Sequence, residues 1–161
     1  MFNSKSRIAL VVFLVALWGC ASQSDEAAHQ LLYDYIDSMS NVNGTAEAKI
    51  KAVDEQRTRL HSLKGQMRED FYDRFESLLA TTRLSFAPET DGASREQVVT
   101  YIKSITGSSP STQGMDLTIA EAFAFSEEAV RLQMLLDGET NHEKAKKKFA
   151  EQLKSRRGRQ H

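Results

Sequence analysis

The sequence predicts an all-α protein, a single bundle of about five helices with one long helix among them. Three observations carry that expectation. Only two prolines, Pro88 and Pro110, occur in 161 residues, and both lie in stretches rich in Gly, Ser and Thr where turns belong. Apolar residues recur at spacings of three and four, the period of a helix face. No run of strict apolar–polar alternation is long enough to make a strand.

Taken in order, a first helix near Glu26–Met39 places Leu32, Tyr35, Ile36 and Met39 on one stripe, and Asn41-Val42-Asn43-Gly44 interrupts it. A long helical pattern then runs from about Thr45 to Leu84, with Ile50, Val53, Leu60, Leu63, Met67, Phe71, Phe75 and Leu78 on one face and Arg57 in the gap. As one helix it would be about 60 Å long. Gly65, about 1 kcal/mol worse than alanine inside a helix, is where any break would fall.

After the Pro88–Gly92 loop, Ser94-Arg95-Glu96-Gln97 reads as a capping box opening a helix with Val98, Ile102 and Ile105. The serine-rich Gly107–Gly114 loop follows, then Thr118-Ile119-Ala120-Glu121 as a second box, at the start of or within the most hydrophobic helix. Its stripe of Ile119, Phe123, Val130 and Met134 marks it as the expected centre of the bundle. Phe123 and Phe125 cannot share a face, so one must meet a second layer or lie exposed as a partner surface. Asp137-Gly138 ends the helix, and Thr140-Asn141-His142-Glu143 reads as a third box. The last helix offers only Ala145, Phe149 and Leu153 to a core, so the first and last helices are expected to pack more loosely than the rest.

Charge is unevenly distributed. The chain has 21 basic and 22 acidic residues. Its end concentrates Lys144, Lys146, Lys147, Lys148, Lys154, Arg156, Arg157 and Arg159 against only Glu143 and Glu151, which leaves the preceding domain acidic. As a surface feature, Lys146, Lys147, Lys148, Lys154, Arg156, Arg157 and Arg159 suit contact with anionic lipid, cell-wall polymer or an acidic partner, at about 1 kcal/mol per cation at a membrane surface. The plainer reading is a solubilising helix end, where cations also suit the helix dipole.

The N-terminus carries the one specific motif. Lys5 and Arg7 precede the uncharged run Ile8–Trp18, which is too short for a membrane span of about 20 residues. Leu17-Trp18-Gly19-Cys20 follows, and Cys20 is the chain's one cysteine. This resembles the signal peptide and lipobox of a bacterial lipoprotein, with Trp18 bulkier than that pattern usually has. The resemblance covers only the first 20 residues. It implies removal of residues 1–19, a diacylglycerol thioether at Cys20, and, from Ala21 in place of aspartate, the periplasmic face of the outer membrane. Residues 20–25 then form a lipidated tether of at most ~18 Å beyond the cysteine, 26–157 the bundle, and 158–161 a basic disordered end. A lipidated Cys20 leaves no thiol for a disulfide or metal.

Motifs for chemistry are weak. His142-Glu143-Lys144-Ala145-Lys146 starts like H-E-x-x-H but has Lys146 where the second zinc ligand belongs. His29, His61 and His161 are scattered. The carboxylates Glu69, Asp70, Asp73, Glu76, Glu127 and Glu128 mix with Arg68 and Arg74, the pattern of a solvated face. Nucleophile elbows and phosphate loops are absent from the sequence. The expectation is a non-catalytic, lipid-anchored envelope protein without metal or cofactor, and without nucleic acid as partner. It would serve as an accessory or assembly subunit that contacts its envelope partner through the long helix and the basic tail. An immunity or exclusion lipoprotein, its acidic domain capturing a basic toxin, is the alternative. A lipid carrier would need an apolar cavity, and a fully packed core would exclude it. Cys20→Ser is expected to move the protein from the membrane to the soluble fraction on cell fractionation; a variant that sediments with membranes as wild type does would refute the anchor.

Overall fold

The computed structural model describes residues 25–40, 44–87, 92–107 and 117–158. Within them lie six helices and no strand: α1 through residues 25–39, α2 Ala46–Ser62, α3 Glu69–Phe86, α4 Gly92–Thr106, α5 Leu117–Asp137 and α6 His142–Arg157. Cys20, Asn41–Asn43, Pro88, Pro110, His161 and Arg159 lie outside the described residues, as does most of the Gly107–Gly114 loop.

The long helix is a hairpin. α2 opens at Thr45, whose hydroxyl accepts from the Ala48 amide (3.2 Å), and closes at Leu63. The chain then reverses through a turn in which the Gln66 amide donates to the Leu63 carbonyl (3.0 Å) and Gly65 has φ +81°. The reversal follows from the stripe itself. A continuous helix would hold Val53 and Leu60 far from Phe71, Phe75 and Leu78; folding back buries all five. Each such burial is worth about 1.5–3 kcal/mol, and the one left-handed position of the turn is Gly65, which takes that backbone without a Cβ clash. Ion pairs record the antiparallel register: Arg83 to Asp54 (2.8 Å), and Arg57 to Glu76.

α1 is well enclosed, which corrects the expectation of a loosely packed first helix. Ala28, Leu31, Leu32, Tyr33 and Tyr35 are all buried. The Tyr35 hydroxyl lies 2.8 Å from that of Thr82 on α3, and its ring meets Phe75 edge-on at 5.9 Å. Tyr33 stacks on Phe149 of α6 at 6.0 Å, Asp34 accepts from Arg59 of α2 (2.8 Å), and His29 meets Asp137 at the end of α5 (3.1 Å). Four helices therefore close around α1. The sequence stripe misses this because Ala28, Leu31 and Tyr33 widen the buried face beyond one 3–4 repeat.

α5 runs antiparallel to α1 and α3, with Arg74 paired to Glu128 and the Arg68 guanidinium donating to the Leu135 carbonyl (2.7 Å). It buries Ala124, Phe125, Ala129, Val130 and Leu132, while Ile119 and Phe123 of the expected core stripe are exposed. α4 packs on α3 and α5, forming a smaller cluster of Val98, Ile102, Ala120 and Ala124. Two of the expected capping boxes are displaced. Ser94 lies inside the first turn of α4, which begins at Gly92. α6 is capped by Asn141, whose side chain accepts from the Lys144 amide (3.0 Å), not by Thr140, because Asn141 occupies the position from which a short side chain reaches that amide. α6 buries Ala145 and Phe149 as the sequence predicts.

The bundle thus has two distinguishable ends. One gathers the start of α1, the α2–α3 turn and the end of α5; the other gathers the end of α1, the start of α2, the end of α3 and the first half of α5. They are separated by the length of α1, roughly 20 Å. The hairpin account predicts that Gly65→Ala, whose new methyl meets nothing within 4 Å, lowers unfolding stability by about 1 kcal/mol through the left-handed backbone alone. An unchanged or raised denaturation midpoint would contradict it.

Candidate functional site

Three cations of the basic tail are paired within the molecule. Lys146 pairs with Glu127 (3.1 Å) and Lys148 with Asp137 (2.8 Å), both on α5. Arg156 reaches Asp34 (3.3 Å) and Asp37 (3.7 Å) on α1 and lies 5.0 Å over the Tyr33 ring. Lys147 and Lys154 are exposed and make no ion pair among the described residues, with exposed Glu151 between them. Arg157 closes α6 and Arg159 lies beyond the described residues. The expected binding set is therefore divided: Lys146, Lys148 and Arg156 hold α6 to the acidic helices, and Lys147 and Lys154 face solvent.

The histidines and carboxylates form a repeated arrangement that sequence spacing does not show. His29 meets Asp137 (3.1 Å), His61 meets Glu76 (3.1 Å) and His142 meets Glu127 (2.8 Å). Each of those carboxylates also holds a permanent cation, Lys148, Arg57 and Lys146 respectively. Burial pushes the Glu76, Glu127 and Asp137 carboxyls up, but the hydrogen bonds they accept outweigh it and hold all three below the usual carboxylate range. Among the described residues no group of three or more His, Cys, Asp and Glu is placed to hold a metal ion. Glu128, 2% exposed, takes both of its bonds from Arg74 (2.7 and 2.8 Å). A buried carboxylate so paired is an internal tie, and one whose partner is costly to remove.

α5 also carries an exposed apolar surface. Ile119 and Phe123 are 61% and 55% exposed, one turn apart on α5, with exposed Ala122 and Ser126 beside them. This stretch of the face carries no charge. Its first two members are the residues the sequence assigned to the core; Phe125, 8% exposed, is the one that turns inward. The pair Phe123 and Phe125 signalled that one ring had to lie outside, without saying which.

Next to this face is a cleft of ≈ 330 Å³ between α1, the start of α2, the end of α3 and α5. Ile36, Met39, Phe86 and Phe125 supply its apolar walls, and Ala122 and Ser126 belong both to the cleft and to the exposed face. The Tyr35 hydroxyl at its base is taken by Thr82 (2.8 Å). At the rim, Lys49 lies 4.9 Å over the Phe86 ring, and Glu121 is held by Arg95 (2.7 Å). Among the described residues no helix is long and apolar enough to cross a membrane.

The chain matches no protein-family model, and no curated protein or solved structure matches it.

The depressed carboxylates carry a pH signature. Their folded pKa values lie below the unfolded ones, so their contribution to stability is present above about pH 4 and lost as pH falls through the folded values. The denaturation midpoint is expected to decline below about pH 4, and less steeply in the triple variant Glu76→Gln, Glu127→Gln, Asp137→Asn. Equal acid dependence of variant and wild type would contradict the assignment.

Proposed function

We propose that this protein is a non-catalytic lipoprotein, anchored through Cys20 at the periplasmic face of the outer membrane, that receives an envelope protein partner on α5. The observation that carries the reading is the outward placement of Ile119 and Phe123. Large apolar side chains exposed side by side on an uncharged helix face are costly in water and characteristic of a surface that another protein covers. The anchor fits the same reading. Cys20 lies five residues before Asp25, at the start of α1, and the apolar face lies at the opposite end of the bundle. A lipid at Cys20 would leave that face turned away from the bilayer.

The sequence pointed to the long helix and the basic tail as partner surfaces. The hairpin buries the apolar stripe of α2 and α3 against each other, and three cations of the tail are engaged within the molecule, so α5 is the better candidate. The same internal pairing neutralises Asp34, Glu127 and Asp137, which lowers the acidic field an immunity protein would use against a basic toxin.

Phe123→Asp together with Ile119→Asp tests the reading. Both side chains are exposed, so the melting temperature should change little. Crosslinking in membranes followed by mass spectrometry should lose a stoichiometric partner that wild type retains. The same partner recovered in equal amount with the double variant would refute the α5 surface.

A further inference from the structure

We propose that the cleft at the far end of the bundle binds a single-chain anionic amphiphile, of the kind of a long-chain fatty acid. This rests on the cleft itself and not on the protein-partner reading. Ile36, Met39, Phe86, Ala122 and Phe125 supply its apolar walls, and two of the hydroxyls that line it are already engaged, that of Tyr35 with Thr82 at 2.8 Å and that of Ser85 donating to the Thr82 carbonyl at 2.9 Å. A ligand body carrying hydrogen-bonding groups would leave them unsatisfied there. The occupant must be apolar along its length and polar only at the mouth.

The mouth supplies the matching charge. Lys49 stands at the rim, 4.9 Å above Phe86, and makes no ion pair among the described residues. The acidic group at the rim, Glu121, is engaged by Arg95 at 2.7 Å. Ser40 and Ser126 add hydroxyls at the same lip. An ammonium with no ion pair among the described residues, beside a slot walled mainly by apolar side chains, selects an anionic head on an alkyl chain against a cationic one. The volume of ≈ 330 Å³ is at the small end of ligand sites, suited to one chain and not to a two-chain phospholipid.

The experiment uses full-length protein in nanodiscs of zwitterionic phospholipid and a diazirine-bearing dodecanoate as photoprobe. Labelling is expected on the peptides containing Met39, Phe86 and Phe125. Dodecanoate should displace the probe about tenfold better than dodecyltrimethylammonium, and Lys49→Glu should reverse that order. From octanoate to dodecanoate, competition should strengthen roughly threefold to fourfold per methylene. Ala122→Trp, placed at the exposed lip, should block labelling and leave the melting temperature unchanged. Label spread along the bundle, equal competition by the two C12 amphiphiles, or an unaltered preference in Lys49→Glu would each overturn the proposal. A peptide with an apolar C-terminal residue that outcompetes dodecanoate would also overturn it, by assigning the cleft to a protein terminus.

Discussion

The arrangement of the other helices depends on the burial of Leu31, Leu32 and Tyr35 on α1. Contacts from His29, Tyr33, Asp34 and Tyr35 reach α5, α6, α2 and α3 respectively, so α1 is enclosed where α2 and α3 reverse at Gly65, α5 returns antiparallel and α6 lies over Tyr33. The polar edge of α1 reinforces the arrangement: Tyr35 is tied to Thr82, Asp34 to Arg59 and Arg156, and His29 to Asp137. A helix that looks like a modest amphipathic stripe in sequence is the one that registers four others. Since Cys20 lies just ahead of it, the same helix fixes how the bundle would stand on a proposed anchor.

Charge plays a second, weaker part. The acidic domain and the basic tail look like two separate surfaces in the sequence, yet they are substantially complementary halves of one interface. Surface ion pairs contribute little singly, about 0–1 kcal/mol. Here they are linked through shared carboxylates, as at Asp34, Glu127 and Asp137, and they place α6 where its short apolar edge, Ala145 and Phe149, meets the core. With much of the tail's charge paired in this way, the uncharged stretch of α5 and the adjoining cleft are the chemically distinctive surface.

Much of this was legible in the sequence where a local signal existed. The all-helical class followed from periodicity and proline placement, and Gly65 stood out by its helix cost as the point where any break of the long helix would fall. The apolar edge of α6 was read correctly as well. The failures share one cause. Periodicity gives a helix its apolar face but cannot say whether a second helix covers all of it, so Ile119 and Phe123 were assigned to a core that stops short of them. The same limit hid the enclosure of α1 and the histidine–carboxylate pairs, whose partners are 15 to 108 residues apart. Helix caps within a residue or two of one another, as at Thr140 and Asn141, were decided by local backbone geometry.

The account makes one geometric claim: α1 stands between a membrane anchor and an apolar surface directed away from it. Its most direct test is the depth of two spin labels in lipidated protein on liposomes, one replacing exposed Gln66 at the α2–α3 turn and one replacing exposed Ser126 on α5. The account predicts that the label at 66 lies nearer the phosphate plane, with the label at 126 farther by roughly the length of α1, about 20 Å. A label at 126 as close to the bilayer as that at 66, or closer, would contradict it.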